Sequence, residues 1–494
     1  MKHGRQECFR TMVFVVGMFS IVTSGFLLVP MLLNLLHEND WDCFCYASVI
    51  SSIVGILCTT NGRKLCSIHG TGVISLACFV WIVQIMLSAV PFVLSDTARL
   101  SFVDAIFEAT SGLTTTGATV MSGLNDMSYG ILLWRAMLNA MGGLGVITVG
   151  IFLLPDLGIA CFREMYGTEG IGRKFRFGVF RTVMYITVTY ITLILACAVS
   201  YRAAGMGTFD AICHALTTVS TGGFSNYDDS IEHFQSIKIE CIAVVFMLLA
   251  SCPFVAYIRL AIDRKFRSSQ YFVYLCILAI GTAVCVVGFP KDAVKEGWLL
   301  DAIRFSLFSI VSLSTSTGYS NCDYSEWSYI AVLGTVLAVC GGCTGSTNSG
   351  VKMRRLQELT ASVLDYVRSL LKGGSTIVTT NNSKQSGRIE AGTVFFLYFV
   401  VFCISSVLVV GKEHDYVTAI TAVTSTLSNT GIGVGKIAGP AGDLAVLAPG
   451  IKLILSAVMF LGRLEIIPVM VFLATILRIG ICWMSKIFRK HEKT

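Results

Sequence analysis

Runs of about twenty apolar residues recur along this chain and restrict its fold more than any other feature. Residues 11–36, 72–94, 182–200, 271–289 and 393–410 are each long enough to cross a hydrocarbon core of roughly 30 Å. Backbone groups inside lipid must bond within the protein, so these runs are helices. Composition agrees: 14% of the 494 residues are charged, whereas a soluble domain carries roughly 25%. The first run is too long for a signal-peptide core. It ends in His37-Glu-Asn-Asp without a small-residue cleavage site, so it reads as a retained anchor.

Charge gives an expected orientation. Lys2, Arg5 and Arg10 precede the first helix, and the later basic clusters are Arg63/Lys64, Arg163 to Arg181, Arg259 to Arg267, Lys352 to Lys372 and Lys486 to Lys493. The intervening loops are acidic or neutral: Glu38 to Asp42, Asn226 to Asp229, Asp323 to Glu326. Every second loop is basic, which puts both termini and the basic loops in the cytoplasm. The net charge of +7 is thereby topological. It is not gathered on one face as a nucleic-acid-binding protein would need.

Most of the 18 cysteines lie inside apolar runs, Cys58, Cys78, Cys197, Cys285 and Cys403 among them, where cysteine acts as a small hydrophobe. Cys340-Gly-Gly-Cys343 has no second pair, so neither a zinc site nor a redox motif is read from it.

A repeat then organises the chain. Residues 107–117, 212–222, 308–318 and 421–431 each join an amphipathic segment to a Ser/Thr run ending in Thr-Gly, and the Thr-Gly pairs are 105, 96 and 113 residues apart. Each lies between two apolar spans. The unit is helix, re-entrant half-helix with loop, helix, and it occurs four times after two extra helices at about 11–36 and 43–58. Expected boundaries are 1–66 for the leading pair, then 67–165, 166–268, 269–388 and 389–494 for the four units. Irregular backbone at membrane depth is tolerated only where it lines a protein-buried or water-filled path. Glycine allows carbonyls to be aimed at one axis, threonine hydroxyls add oxygens, and carbonyl rings can replace an ion's hydration shell. The half-helix C-termini, at about half a negative charge each, favour a cation. The expected fold is an all-α polytopic membrane protein with four tandem helix–pore-loop–helix units around one pseudo-fourfold pore.

These four loops, with Gly142-Gly-Leu-Gly145 and the stretch from Gly341 to Lys352, resemble the Trk/Ktr/HKT potassium transporters. The leading helix pair and Gly462-Arg-Leu-Glu-Ile-Ile-Pro468 point to the TrkH branch, and the resemblance runs from about residue 11 to 482. It implies potassium uptake, with ion-binding positions at Thr116, Gly117, Thr221, Gly222, Thr317, Gly318, Thr430 and Gly431. It also implies a homodimer with one pore per subunit in the inner membrane of a bacterium. The expected partner is a cytosolic nucleotide-binding ring of the TrkA type. No Rossmann fingerprint occurs in this chain, so nucleotide control would come through that partner, and no cofactor is expected here beyond K⁺ as the transported ion.

Gly341, Gly342, Gly345 and Gly350, interspersed with Cys343, Thr344, Ser346 and Thr347, interrupt the second helix of the third unit. Each glycine weakens a helix by roughly 1 kcal/mol relative to alanine. The resemblance implies an intramembrane gate, and a packing kink is the plainer reading. Thr344, Asn348 and Ser349 depart from the small-residue pattern expected there. Arg463 lies in the apolar stretch 451–476; an intramembrane arginine is a functional candidate by default. The resemblance makes it an electrostatic barrier below the loops, while a structural ion pair with Glu465 or with another helix's acid is the alternative. The break is read in unit 3 alone.

Glu108 is read either as a source of negative potential or as a hydrogen-bonded buried carboxyl, and Arg135 as a brace behind the first loop. Asn139 and Ala140 replace larger polar and aromatic residues expected there, and His214 reads as a core histidine. Asn381-Asn-Ser383 matches a glycosylation triplet, but on the cytoplasmic side. The chain contains no H-E-x-x-H motif and no nucleophile–base pair at membrane depth, so it is not read as an enzyme. A channel-like carrier driven by membrane potential, an H⁺- or Na⁺-coupled cation symporter and a less selective K⁺/Na⁺ transporter of the same superfamily all remain open. Symport would need titratable groups on the path, for which Glu108 and Glu465 are the candidates.

Overall fold

A computed structural model describes residues 2–37, 40–62, 70–157, 179–264, 266, 268–290, 298–325, 327–371, 382–411, 415–440 and 442–491. Arg63, Lys64, Arg163, Arg173, Lys174, Arg176, Lys265, Arg267, Lys372 and Asn381 lie outside the described residues. Within the described residues there are seventeen α-helices and no strand.

The first two helices, α1 (Lys2–Leu36) and α2 (Asp42–Asn61), form a hairpin closed by small residues. A Cβ built on Gly17 would lie 2.8 Å from the Gly55 carbonyl, and Ser24 bonds Ser48 at 2.9 Å and Ser52 at 2.7 Å. Such small-residue seams hold helices together in lipid. Four units follow. The first comprises α3 (Thr71–Leu94), α4 (Phe102–Leu113) and α5 (Tyr129–Leu157); the second comprises α6 (Val179–Ala203), α7 (Thr208–Val219), α8 (Ile237–Ala250) and α9 (Phe254–Asp263). The third comprises α10 (Ser269–Val287), α11 (Trp298–Ser314), α12 (Ser328–Cys340) and α13 (Met353–Leu371); the fourth comprises α14 (Asn382–Val410), α15 (Tyr416–Leu427), α16 (Pro449–Arg463) and α17 (Ile466–His491).

Seven of these helices are long and apolar enough to cross a membrane, and two bent pairs raise the number to nine. Their outer faces are apolar, with Leu195 61% and Val199 70% exposed on α6. By contrast α4, α7 and α15 have twelve residues each, too few to span, and their last turns are buried. Ser101 caps α4 by accepting from Asp104 N, and Asp415 caps α15 by accepting from Val417 N and Thr418 N.

The expectation that only unit 3 is interrupted needs correction. The second span of unit 2 bends by 81° between α8 and α9, and that of unit 4 by 114° between α16 and α17. Pro253 explains the first break: it donates no N–H, and its own backbone, at φ −56° and ψ 125°, is outside the helical region. At the second, Glu465 adopts a left-handed φ of 66°. Pro468 lies in the first turn of α17, where a missing N–H is tolerated. Only α5 continues unbroken. The ring of units closes on itself: α16 packs on α4 and α17 on α3. Leu464, Val469 and Phe472 thereby share a core with Cys78, Trp81 and Trp134.

Candidate functional site

The four helices that lead into the Thr-Gly loops, α4, α7, α15 and the longer α11 (17 residues), end in one way. The first residue of each turn, Thr115, Thr221, Ser316 or Asn429, adopts a left-handed φ of 50°, 52°, 55° or 51°. The next N–H then reaches back five residues: Thr116 to Ser111 O (2.8 Å), Gly222 to Thr217 O (2.9 Å), Thr317 to Ser312 O (3.0 Å), Thr430 to Ser425 O (2.8 Å). This is a Schellman-type helix end, which normally places glycine at the left-handed position. A side chain there costs about 1–2 kcal/mol, so the same strain is held at four equivalent places. One residue further on, Gly117, Gly223, Gly318 and Gly431 have φ of 81°, 71°, 75° and 78°.

This geometry corrects the register read from the Thr-Gly pairs. In units 1, 3 and 4 the pair is Thr116-Gly117, Thr317-Gly318 and Thr430-Gly431, as expected. In unit 2 the equivalent pair is Gly222-Gly223, and Thr221 stands where Thr115 stands. The doublet Gly222-Gly223 is the local signal of this register, and the Thr-Gly match lies one residue away from it.

The loops touch in cyclic order. A Cβ built on Gly117 would overlap the carbonyl oxygen of Gly222; one on Gly223, that of Thr317; one on Gly318, that of Thr430; and one on Gly431, that of Thr116. Each glycine is thus pressed against the backbone of the next loop, and the four loops form a closed ring. Thr116, Thr317 and Thr430 turn their hydroxyls into the wall, toward Thr114 (2.7 Å), Thr315 (2.8 Å) and Ser428 (2.9 Å). Asn429 Nδ2 donates to Thr116 Oγ1 at 2.9 Å, tying loop 4 to loop 1. Thr221 Oγ1 bonds the Ser220 carbonyl at 2.8 Å. With the hydroxyls engaged, backbone carbonyls are the ring's main oxygen donors.

Buried polar pairs hold the ring from behind. Arg135 Nε donates to Glu108 Oε1 at 2.8 Å, Nη1 to Ser225 O at 2.9 Å, and Nη2 to Thr119 Oγ1 at 3.1 Å. Glu108 also accepts from Val120 N at 3.1 Å, and the guanidinium lies 4.2 Å from the Phe224 ring. Arg135 therefore joins loops 1 and 2, and Glu108 is a paired, buried carboxylate. Two pairs that sequence reading missed join other units. Arg304 binds Glu240 through two bonds of 2.8 and 2.5 Å, and Lys452 Nζ is 2.6 Å from Asp104 Oδ1. His214 is buried, with Nδ1 at 2.9 Å from Asp210 O and Nε2 at 3.1 Å from Ser225 Oγ.

On one side of the ring a cavity of about 390 Å³ is lined by Gly117, Gly223, Gly318 and Gly431. Gly222 is not among its lining residues. The cavity's charged lining is acidic apart from Arg135: Asp228, Asp229, Glu232, Asp323 and Asp443. Burial, then the neighbouring carboxylates of Asp229, Asp323 and Glu240, raise the pKa of Glu232 above its ordinary value.

The other side is closed by side chains. Helix α16 starts beside the cavity and reaches the half-helix ends at Gly462, where a Cβ would overlap the Leu427 carbonyl; Gly142 meets the Leu113 carbonyl in the same way. Arg463 follows immediately, buried. Its Nη1 donates to Thr347 O (2.9 Å) and Ser349 Oγ (2.6 Å). Nε and Nη2 have no partner among the described residues. Glu465 is not its partner: that carboxylate takes Arg355 at 2.7 Å and Lys352 at 3.7 Å.

The glycine-rich stretch between α12 and α13 is a folded loop. Gly341, Gly345 and Gly350 have φ of 67°, 82° and 85°, and a Cβ on Gly342 would overlap the Asn348 amide. Its ends are pinned by Val351 N to Val339 O and Lys352 N to Cys340 O, both 3.0 Å. Within it, Ser346 Oγ donates to the carbonyl of buried Cys343 at 2.7 Å. Its tip docks on the break in unit 2. Phe254 N donates to Gly345 O (2.9 Å), Thr347 Oγ1 to Ala250 O (3.2 Å) and Asn348 Nδ2 to Ser251 Oγ (2.9 Å). Thr344 N donates to Gln270 Oε1 at 3.2 Å, and Ser349 N to Ser316 Oγ at 3.0 Å, so the loop touches the ring. Thr344, Asn348 and Ser349, the three departures noted in the sequence, are thus all hydrogen-bonded.

Comparison with known proteins agrees with this architecture. The family model described as "TrkH: Cation transport protein" matches residues 75–279 and 277–484. The chain is similar to the "Trk system potassium uptake protein TrkH" of Halomonas elongata, 33% identical over 473 residues, 92% of this chain and 96% of that protein. The protein of the same name from Escherichia coli K12 is 30% identical over 480 residues, 94% of this chain and 98% of that one. The crystal structure of the potassium transporter TrkH from Vibrio parahaemolyticus superposes with a TM-score of 0.85 at 28% identity, covering 94% of this chain and 98% of that chain.

Proposed function

Because this chain belongs to the TrkH cation-transport family, we propose that it is the ion-translocating subunit of a Trk-type potassium uptake system in a bacterial inner membrane. The observation that carries the reading is the closed ring, in which four left-handed glycines abut the carbonyl of the next loop. Backbone oxygens fixed in this way replace a hydration shell without a side chain having to move. The acidic cavity concentrates cations before they enter. Past the ring, Arg463 opposes a cation with its charge, and the loop from Gly341 to Gly350 occupies the path as a gate.

A channel-like mechanism fits better than symport. The two carboxylates that were the candidates for coupling are each committed to an arginine, Glu108 to Arg135 and Glu465 to Arg355. The driving force is then the membrane potential, about 2.3 kcal/mol per charge per 100 mV. Both termini face the cytoplasm in this reading, the active form is a homodimer, and a separate cytosolic nucleotide-binding ring acts on the gate. Flux in proteoliposomes tests it, comparing K⁺, Rb⁺, Na⁺ and Li⁺ with and without a pH gradient. K⁺ and Rb⁺ should pass well ahead of Na⁺ and Li⁺ without a gradient. Equal Na⁺ and K⁺ flux would sink the potassium assignment, and flux that requires the gradient would replace the channel with a symporter.

A further inference from the structure

Loop 2 is the odd one of the four. Where loops 1, 3 and 4 carry Thr116, Thr317 and Thr430, each bonded into the wall, loop 2 carries Gly222, which has no side chain to place there. The volume is nevertheless filled. A Cβ built on Gly222 would land on the carboxamide of Asn139, 2.8 Å from its Oδ1. Asn139 projects from α5, the one second span that continues unbroken, and is fully buried. Neither its Nδ2 nor its Oδ1 has a hydrogen-bond partner among the described residues. A buried amide without protein partners is costly to keep, which argues that the group serves the loop beside it rather than the packing of α5. The backbone at Gly222 is not in the left-handed region, so conformation alone does not demand glycine there; the neighbouring amide does.

We propose that Asn139 is a positioning residue for ion selection, its carboxamide supplying from α5 the wall group that a threonine supplies in the other three loops. It holds loop 2 at the spacing that the ring shares. This inference rests on the potassium-selective reading above.

The test is a rescue. Asn139→Ala, Gly222→Thr and the double variant are compared with the unaltered protein for K⁺ against Na⁺ flux in proteoliposomes. Asn139→Ala removes the wall group and leaves a cavity beside Gly222, which should lower the K⁺/Na⁺ ratio roughly threefold to tenfold, the effect of about 1 kcal/mol of lost packing. Gly222→Thr alone places two side chains in one space and should lower it as well. The double variant restores a threonine where the amide stood, and its ratio should return to within about twofold of the unaltered protein, because residues in contact couple rather than add. An unchanged ratio in Asn139→Ala, or a double variant no better than that single, overturns the proposal. Should the singles fail to fold, a folded and selective double supports it, and a double that also fails to fold overturns it. An unaltered protein that does not prefer K⁺ refutes the functional reading itself, and that result is visible before any variant is made.

Discussion

Alanine at Gly222 and alanine at Gly223 should have unequal effects, although the two residues are neighbours of the same type. Gly223 has φ of 71°, and a Cβ there would overlap the backbone carbonyl of Thr317. The left-handed backbone costs a side chain about 1–2 kcal/mol. The overlap adds about 1–3 kcal/mol of overpacking, because no rotamer change moves a carbonyl out of the way. Relief is available only by parting loop 2 from loop 3, which opens the ring. The sum, roughly 2–5 kcal/mol, corresponds to at least about a thirtyfold loss at 1.4 kcal/mol per decade. At Gly222 there is no backbone term, and the obstacle is the Asn139 carboxamide, a side chain that can rotate. That change should cost roughly 1 kcal/mol, or several-fold.

The assay is initial K⁺ uptake into proteoliposomes and the K⁺/Na⁺ ratio, with protein recovery checked by size exclusion. Gly223→Ala should fall with Gly117→Ala, Gly318→Ala and Gly431→Ala, while Gly222→Ala should remain partly active and selective. If Gly222→Ala proved as damaging as those three and Gly223→Ala mild, the Thr-Gly register would be right and the geometric register refuted.

Arg463→Ala should raise K⁺ flux: at an effective dielectric of about 20, a unit charge roughly 6 Å from an ion opposes it by about 3 kcal/mol. Unchanged flux would remove the barrier. Glu108→Gln leaves the buried Arg135 guanidinium without its carboxylate and should destabilise the protein by about 3–5 kcal/mol, read as a lower unfolding temperature in detergent. Glu108→Leu combined with Arg135→Met should recover part of that loss, and a double variant worse than Glu108→Gln would contradict the argument. The raised pKa of Glu232 means that, as pH falls, it takes up its proton before an ordinary glutamate near about 4.3. The cavity then loses a negative charge. K⁺ uptake at low K⁺ should therefore decline at a higher pH in the unaltered protein than in Glu232→Gln; superimposable acid limbs would exclude Glu232 as the cause.

The fourfold plan was legible because its signals are local. Apolar length gives spans, and a Ser/Thr run ending in glycine gives the turn of a half-helix. What sequence hid depends on contacts between units. The register of loop 2 is fixed by the left-handed turn at Thr221 and by the carbonyl of Thr317, neither of which is visible in a string that reads Ser-Thr-Gly-Gly. Pro253 was a local sign of the break in unit 2, but it sits in an otherwise apolar span, and at the break in unit 4 the left-handed residue is Glu465 rather than a glycine. The choice between partners for Glu465 was likewise beyond the sequence: Arg463 is two residues away, yet the carboxylate turns to Arg355 and Lys352 of unit 3.

In the gated reading proposed above, those contacts between units set how the path opens. The loop from Gly341 to Gly350 is held to units 2 and 4, α10 and the ring by bonds involving Gly345–Phe254, Thr344–Gln270, Thr347–Ala250, Asn348–Ser251, Ser349–Ser316, and Arg463 with Thr347 and Ser349. At roughly 0.5–1.5 kcal/mol net for each, the docked arrangement of the loop is worth several kcal/mol even after discounting for non-additivity. A potential of 100 mV acting on one ion supplies only about 2.3 kcal/mol. Voltage on a single ion is therefore a weak opener, and a partner that binds the open arrangement about 10⁴-fold more tightly is of the right size. If so, weakening the docking should reduce the need for that partner. Asn348→Ala and Ser349→Ala together should give K⁺ flux from the isolated subunit well above that of the unaltered protein, with the K⁺/Na⁺ ratio preserved because the glycine ring is untouched. Flux that stays at the unaltered level would mean that these bonds do not hold the path shut. Flux that rises while selectivity collapses would mean that the loop supports the ring through Ser316 rather than gating it.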